Sequence, residues 1–410
     1  MEKIRVGDLG KIVTGKTPRT NISENYGGKI PFLTPTDDLS PMKCQKTINT
    51  LTELGLCEVK NCLLPSKSIC VSCIGSDMGH VIMTSQPTVT NQQFNSIIPL
   101  EEYNPEYVYY LMILLGKLMK SKFGKSSTAV PIVSKSLFSS FEIYVYKDKD
   151  RQKAISNVLA NIDEKITLNT RMNAELEAMA KQLYDYWFVQ FNFPDENGKP
   201  YKSSGGKMVY NSTLKREIPE GWEVRNLFYI ANYYNGLACQ NYRPKEGEDS
   251  LPVIKITEMH NGFTSETEKA STNIPSEAII ENGDVLFAWS ASLEVMLWGL
   301  GKGALNQHIF KVTSNNGFPK SFYYFQLMEY VGHFKKIAEA KKTTMGHITK
   351  DHLEQSKIVV PLSYDLPNKL EEKIAPLLNK IVSLSSERIY LTHLRDSLLP
   401  MLMNGQIIVE

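Results

Sequence analysis

The sequence has little net charge and no long apolar run that is free of charged residues. Its 46 Lys and Arg residues nearly balance its 44 Asp and Glu residues, which leaves a formal charge of +2. A protein-wide basic field is therefore excluded, and any binding of nucleic acid must come from local patches. A membrane span needs about 18 to 20 mostly apolar residues, and the start at Met1 lacks the apolar core of a signal peptide. We expect a cytoplasmic protein.

The motifs of several enzyme classes are also absent. Gly124-Lys125-Ser126 looks like the end of a phosphate-binding loop, but the first glycine of that motif is replaced by Met119. There is no His-Glu-x-x-His, no Gly-x-Ser-x-Gly, no dinucleotide-binding fingerprint, and no Asp/Asn-Pro-Pro-Tyr/Phe run of the adenine methyltransferases. The seven histidines are scattered, and we expect His347 and His352 to be loop or solvent-exposed residues. A binding protein fits better than an enzyme.

The six cysteines do not form a convincing metal site. Cys57-x4-Cys62 followed by Cys70-x2-Cys73 has spacing that invites a zinc interpretation. Residues 67–74, however, have the pattern of a strand, in which Cys70 and Cys73 would face opposite ways. Buried free thiols in a reducing compartment are expected instead.

The sequence does contain two helices of unusual length. Residues 148–191 have heptad spacing, with Asp148 or Asp150 as the N-cap and Pro194 beyond the end. The stripe consists of Ile155, Leu159, Ile162, Ile166, Leu176, Ala180, Leu183 and Trp187, interrupted by Asn169 and Asn173.

A second stripe runs from Ile374 to Leu402, is interrupted by Arg388 and Arg395, and ends at Asn404-Gly405. Pro376 predicts a break in this helix and Pro400 predicts a kink. Two stripes that each carry polar residues in the middle favour antiparallel packing against each other, with the polar residues fixing the register. The alternative is two ordinary amphipathic helices, each buried against a separate globular part.

The chain is internally duplicated. Thr90-Asn-Gln-Gln matches Leu305-Asn-Gln-His at a shift of about 215 residues. Pro105-Glu-Tyr-Val-Tyr-Tyr-Leu matches Pro319-Lys-Ser-Phe-Tyr-Tyr-Phe at nearly the same shift. Ile30-Pro-Phe-Leu pairs with Leu251-Pro-Val-Ile at a slightly larger shift. The same alignment places Cys70 and Cys73 opposite Leu286 and Trp289, which excludes a zinc site shared by the two copies.

The duplication predicts an α+β protein built from two similar mixed α/β units, each followed by a long helix, with the two helices packed as an antiparallel coiled-coil spacer. Helices are also predicted at residues 106–122 and 320–340. The predicted layout is a first mixed α/β domain at 1–146, a helical spacer at 147–192, a linker at 193–217, a second mixed α/β domain at 218–362 and a second helical spacer at 363–410.

Two similar units with polar loops suit a ligand that has two separated recognition sites, such as duplex DNA. Hydroxyl groups, Lys and Arg contact phosphates, and Asn, Gln, Arg and Lys read base edges. The candidates in the first unit are Lys16, Thr17, Arg19, Asn91, Gln92, Gln93, Lys122, Lys125, Ser126 and Thr128. Those in the second unit are Gln240, Asn241, Arg243, Lys255, Asn306, Gln307, His308, Lys341, Lys342, Thr343 and Thr344.

For each candidate, a solvated loop or a turn hydrogen bond is the competing interpretation. Asn91-Gln92 and Asn306-Gln307 occur in both copies, which favours a shared hydrogen bond that belongs to the fold.

Across almost its whole length, the chain resembles the specificity subunit of Type I restriction-modification systems. The resemblance rests on the order and duplication of Gly15-Lys-Thr-Pro, Gly27-Gly-Lys-Ile-Pro-Phe-Leu-Thr-Pro-Thr-Asp, Thr90-Asn-Gln-Gln, the helix Ile155 to Tyr184 leading into Trp187-Phe-Val, Ile218-Pro-Glu-Gly-Trp222, Gly283-Asp-Val-Leu-Phe and Leu394-Arg-Asp-Ser-Leu-Leu-Pro-Met-Leu-Met-Asn-Gly405. One departure is that Met1 begins without the Pro-Glu-Gly-Trp lead-in found at Pro219–Trp222.

The resemblance implies a non-catalytic prokaryotic protein whose two domains each read one half of a split, asymmetric DNA sequence. It also implies two methyltransferase (modification) partner subunits that bind S-adenosylmethionine and methylate adenine N6, and restriction subunits that use ATP and Mg²⁺, so that this chain itself needs no cofactor. The exposed faces of the long helices are the expected docking surface, with Tyr184, Tyr186 and Phe188 as candidate anchors. These aromatics could equally pack against the adjacent recognition domain.

Two other functions remain open at this point. One is a scaffold whose paired units bind proteins and carry no DNA specificity. A remoter one is a fused nuclease, which no clustered acidic motif supports. A steep loss of duplex binding with added salt would separate DNA recognition from the scaffold.

Overall fold

The computed structural model describes residues 1–39, 42–44, 46–75, 78–123, 131–264, 266–290, 292–340 and 347–409. The chain divides into two compact units. Unit 1 comprises Met1–Thr167 and Leu391–Glu410, and unit 2 comprises Leu168–Tyr390.

In the first half of the chain, the described residues form eleven strands and four helices. The strands are β1 (Glu2–Arg5), β2 (Gly10–Thr14), β3 (Tyr26–Leu33), β4 (Lys43–Cys44), β5 (Asn49–Leu51), β6 (Leu63–Leu64), β7 (Ile69–Ser72), β8 (Val81–Thr84), β9 (Thr88–Thr90), β10 (Phe94–Pro99) and β11 (Glu142–Val145). The helices are α1 (Glu53–Glu58), α2 (Pro105–Phe123), α3 (Lys135–Ser140) and α4 (Lys149–Tyr184).

The second half has a similar order of elements after an added hairpin. Its strands are β12 (Met208–Asn211), β13 (Arg216–Pro219), β14 (Glu223–Arg225), β15 (Ala231–Asn235), β16 (Ser250–Ile254), β17 (Lys269–Ser271), β18 (Ile279–Ile280), β19 (Val285–Ala288), β20 (Glu294–Leu297), β21 (Gly303–Leu305), β22 (Ile309–Ser314) and β23 (Ile358–Val360). Its helices are α5 (Leu227–Ile230), α6 (Ile256–Asn261), α7 (Lys320–Ala340), α8 (Lys350–Glu354) and α9 (Asp365–Met403). The described residues of this half include no counterpart of β4, and α6 is placed before β17.

The sheets confirm the duplication. Unit 1 has strand orders β1-β11, β2-β10-β7-β8-β4 and β5-β3-β9-β6, and unit 2 has β14-β23, β15-β22-β19-β20 and β17-β16-β21-β18. Each unit has a parallel pair at the same place: Leu33 is opposite Thr90 in unit 1, and Ile254 is opposite Leu305 in unit 2. The helices predicted at 106–122 and 320–340 are α2 and α7, and the predicted mixed α/β units are confirmed.

Helix α4 is 36 residues long and continues into a π-helical turn at Asp185–Val189. Asp148 caps it, because its Oδ1 accepts from the Asp150 N–H at 3.0 Å. Helix α9 is 39 residues long. Each of these helices contributes one part to unit 1 and another part to unit 2.

The two long helices run antiparallel within each unit, as predicted. In unit 1, Asp163 on α4 bonds Arg395 on α9 at 2.7 Å, and the core shares earlier residues of α4 with later residues of α9, namely Ile155, Leu159, Leu399 and Leu402.

In unit 2, the two asparagines in the middle of the α4 stripe donate hydrogen bonds to side chains of α9. Asn169 Nδ2 donates to Glu387 Oε2 at 3.0 Å, and Asn173 Nδ2 donates to Ser385 Oγ at 2.9 Å. These directed bonds fix one register of the helix pair, because sliding by one turn would break both of them.

The predicted break at Pro376 is wrong, since α9 continues through Pro376 and Pro400. Ile374 and Leu378, on either side of Pro376, are 0% and 2% exposed in the core of unit 2. Their burial offsets the cost of roughly 3 kcal/mol for a proline inside a helix. The predicted stop is confirmed: Gly405 has φ +77, and the Gln406 N–H bonds Met401 O at 2.9 Å. The kink at Pro400 stays a prediction.

The predicted linker at 193–217 is folded onto unit 2. It contains the hairpin β12–β13, and the Phe193 ring stacks on Tyr201 at 4.7 Å and on Trp222 at 5.1 Å. These stacked rings make the segment part of the unit 2 core rather than an extended connector.

The predicted strand geometry of the cysteines is confirmed. Cys70 and Cys73 lie in two different hydrophobic clusters, which places them on opposite faces of β7 and its continuation. Burial raises the pKa of the Cys70 thiol to about 12 and that of Cys73 to about 11, so neither is a thiolate near neutral pH. Among the helices that the structure describes, none is both long and apolar enough to span a membrane.

Candidate nucleic-acid interface

In unit 1, the candidate segments that are distant in sequence converge on Cys73. We call residues 14–17, 73, 91–93 and 131–133 the unit 1 loop junction. Its backbone bonds run from Gly15 N–H to Phe94 O (3.1 Å), from Lys16 N–H to Thr90 O (2.9 Å), from Cys73 N–H to Gln93 O (2.7 Å) and from Val133 N–H to Cys73 O (2.8 Å).

Unit 2 repeats the same pattern around Trp289. We call residues 235–237, 289, 306–308 and 347–348 the unit 2 loop junction. Its backbone bonds run from Gly236 N–H to Ile309 O (3.0 Å), from Leu237 N–H to Leu305 O (2.8 Å), from Trp289 N–H to His308 O (3.3 Å) and from Ile348 N–H to Trp289 O (3.0 Å). The two junctions therefore share one backbone frame that carries different side chains.

A glycine packs tightly against the asparagine turn in each junction. A Cβ added to Gly15 would lie 2.1 Å from Asn91 O, and one added to Gly236 would lie 2.2 Å from Asn306 O. Only glycine permits this approach without moving the backbone.

We expect Gly15→Ala to damage unit 1 alone and Gly236→Ala to damage unit 2 alone. Each substitution should lower the free energy of unfolding of its unit by about 1–3 kcal/mol or more, because backbone must shift to make room. Urea unfolding followed by hydrogen exchange of each unit would measure this. The matched control is Gly332→Ala in α7, whose added Cβ meets nothing within 4 Å. Equal protection losses in both units from either variant would contradict the expectation.

The asparagines of both turns hold the turn itself. Asn91 Oδ1 accepts from the Gln93 N–H at 3.1 Å, and Asn306 Oδ1 accepts from the His308 N–H at 3.4 Å. The predicted shared hydrogen bond is confirmed for these two residues. Gln92 is exposed and its Oε1 accepts from the Thr17 hydroxyl at 2.7 Å, which ties two candidates together at the junction surface.

The candidate cations of unit 1 differ in their contacts. Lys16 is exposed at the junction, and Lys122 is exposed at the end of α2. Arg19 is held by Glu58, with its Nη2 2.7 Å and its Nε 2.9 Å from Oε1. These bonds lower the Glu58 pKa to about 2. This ion pair already occupies two of the three guanidinium nitrogens that could contact a phosphate.

In unit 2, Gln240, Asn241 and Arg243 are exposed in and just after a short 3-10 turn. Lys255 Nζ pairs with Glu268 Oε1 at 2.6 Å. The remaining candidates, Lys125, Ser126, Thr128, Lys341, Lys342, Thr343 and Thr344, lie outside the described residues. In sequence they precede residues 131–133 and 347–348 of the two junctions.

The prediction that Tyr184 and Phe188 lie on an exposed docking face is wrong. Tyr184 is 1% exposed and Phe188 is 4% exposed, and both pack in the unit 2 core. The Tyr184 hydroxyl donates to Gln326 Oε1 at 2.8 Å. Tyr186 is 37% exposed and lines an apolar hollow of about 460 Å³ beside Met179 and Leu377, so it stays a candidate anchor.

The candidates predicted from the sequence did not include Trp289, which lies at the centre of the unit 2 loop junction. The internal alignment already placed it opposite Cys73, which is a large change of side chain at a matched position. A tryptophan that occurs in only one of the two copies indicates a residue that the shared fold does not require.

Comparison with known proteins gives consistent matches. The sequence matches the family described as Type I restriction modification DNA specificity domain at residues 1–178 and 219–389. The MjaIX specificity subunit, a Type I restriction enzyme subunit of Methanocaldococcus jannaschii, is 26% identical over 422 residues, which cover 99% of this chain and 93% of that protein. The HindI specificity subunit of Haemophilus influenzae is 35% identical over 169 residues, 38% of this chain and 36% of that protein.

Among solved structures, the S subunit of a Type I restriction-modification system from M. genitalium superimposes with a TM-score of 0.57. The match covers 98% of this chain and 95% of that one, at 15% sequence identity. Because the two sequences are only 15% identical, this match is evidence for the fold alone.

Proposed function

Because this chain belongs to the Type I restriction modification DNA specificity family, we propose that each unit reads one half of a bipartite, asymmetric DNA sequence and that α4 and α9 set the gap between the halves. The chain is a DNA specificity subunit whose role is non-catalytic. It directs chemistry that other subunits carry out.

The duplicated loop junction is the observation that carries this proposal. Contacts to phosphates position a protein on DNA, and contacts to base edges specify the sequence. Two junctions with one backbone frame suit one docking mode used twice, and different side chains at matched positions suit two different half-sites. The exposed Lys16 and Gln92 in unit 1, and the exposed Arg243 and His308 in unit 2, supply both kinds of contact.

The proposal includes partners in the cytoplasm of a prokaryotic cell. Two methyltransferase subunits would bind S-adenosylmethionine and methylate adenine N6, and restriction subunits would use ATP and Mg²⁺. The exposed faces of α4 and α9, with Tyr186 as one anchor, are the proposed docking surface for the methyltransferase subunits.

Mapping methylation tests the proposal. The chain is expressed with its neighbouring modification subunit, and N6-methyladenine in the host DNA is located by long-read sequencing. We expect a split motif with a constant gap, and steep weakening of duplex binding as salt is raised. Replacing residues 1–146 by the equivalent domain of a relative should alter one half of the motif only. Absence of methylation by an assembled complex, or a change in both halves, would contradict the proposal.

A further inference from the structure

The centre of the unit 2 loop junction is an aromatic cluster that unit 1 does not carry. Trp289 is half-buried, with its ring centroid 5.7 Å from that of His308 and 5.7 Å from that of His347. Its inner side packs against Phe310 at 5.9 Å, and its Nε1–H donates to Asn235 Oδ1 at 3.1 Å. The indole is therefore fixed in place while both imidazoles are exposed.

The matched positions of unit 1 have different chemistry. The shared backbone bonds make Cys73 the counterpart of Trp289, Gln93 that of His308 and Ile132 that of His347. Cys73 is buried, so the unit 1 junction presents an amide and an aliphatic side chain where unit 2 presents two imidazoles around an indole. Since unit 1 forms the same frame without them, the aromatic residues are not needed to build the fold.

The surface of this cluster has the groups that recognise base edges. Imidazole N–H groups can donate to the acceptors of a purine in the major groove, and ring faces offer apolar contact to a thymine methyl. The neighbouring Gln307 adds an amide, and its Nε2 lies 3.4 Å from His308 Nε2.

We propose that His308 and His347, held in place by Trp289, form the base-contacting surface of unit 2, and that this cluster makes its half-site differ from that of unit 1. Trp289 is a positioning residue, and the two histidines touch the DNA. This inference rests on the proposed function, since it assigns the residues by which one of the two DNA-reading units is specific.

A transplant between the two junctions tests the assignment. The variant Trp289→Cys/His308→Gln/His347→Ile gives unit 2 the side chains that the same frame carries in unit 1, so the frame is expected to form. Together with the modification subunit, it should methylate wild-type sites roughly 10- to 100-fold more slowly. The half of the motif assigned to unit 2 should be relaxed or altered, and the half assigned to unit 1 should be unchanged.

Two further variants keep the test decisive. His308→Gln alone changes one exposed side chain, so it gives the same readout if the triple variant fails to assemble. His260→Gln is the matched control, because His260 is also partly exposed but lies on α6, 3.2 Å from Glu294. It should leave the motif and the rate unchanged.

Failure of this inference can be distinguished from failure of the proposed function. A wild-type complex that yields no bipartite motif would refute the proposed function. A wild-type complex with a bipartite motif that both the triple variant and His308→Gln reproduce at the wild-type rate would overturn the present inference alone.

Discussion

Replacing Asp163 by alanine is expected to lower the free energy of unfolding of unit 1 by about 2 kcal/mol, less than the loss on breaking a fully buried ion pair, because Asp163 and Arg395 are only partly buried. Asp163 Oδ1 is 2.7 Å from Arg395 Nη1, and its Oδ2 accepts from the Tyr110 hydroxyl at 2.7 Å. The variant leaves both of these groups without this acceptor. Arg395 keeps Asp396 at 3.0 Å, which limits the loss.

Urea unfolding, with hydrogen exchange of α2 and α4 to identify the unit that opens, would measure this loss. The control is Glu175→Ala on the same helix, whose carboxylate pairs with the exposed Arg171 at 2.7 Å and should matter little. A variant that removes the whole network, Asp163→Leu/Arg395→Met/Tyr110→Phe, should recover most of the stability. Wild-type stability of Asp163→Ala would show that the network is not a stabilising contact.

Inserting one heptad into both long helices is expected to lengthen the gap in the DNA target by about three base pairs. Seven helical residues add about 10.5 Å, which is close to three steps of about 3.4 Å along DNA. The insertions belong between Ile166 and Thr167 and between Tyr390 and Leu391. They lie between the Asp163–Arg395 contact and the Asn169–Glu387 contact and preserve both.

Methylation mapping would report the gap and both half-sites in one experiment. Both half-site sequences should be unchanged. The rate should fall, because three base pairs rotate the DNA by roughly 100° whereas a heptad rotates a helix by only about 20°. The control is the insertion into α4 alone. It shifts Asn169 away from Glu387 and should prevent the correct pairing of α4 with α9. An unchanged gap in the double insertion would refute the role of the helices as a spacer.

Long-range regularities of this fold were predictable from the sequence. The heptad stripe of α4 and the duplicated order of motifs extend over many residues, so many weak local preferences add to one conclusion. In these respects the structure and the sequence agree closely.

Features that depend on distant partners were not predictable. In the sequence Arg19 looks like a free cation, but in the structure it is bonded to Glu58. No local sequence pattern at either residue predicts this ion pair. The sequence left two roles open for Tyr184 and Phe188, because a helix end rich in aromatic rings has the same sequence pattern whether it docks a partner or fills a core. Pro376 was misjudged because tertiary burial of its neighbours outweighs a local helix preference.

The division of α4 and α9 between the units has a consequence for synthesis. The unit 1 core includes Leu399, Leu402 and Met403, although the rest of that core precedes residue 168. A ribosome adds about 5–20 residues per second, so the first unit waits roughly 10 to 45 seconds for residues 168–390 before its closing helix segment is made. During that interval the apolar stripe of the nascent α4 lacks its partner. Unit 1 therefore completes its folding after translation has passed through unit 2, and an interrupted message yields a nascent chain that chaperones and proteases can recognise by this uncovered stripe.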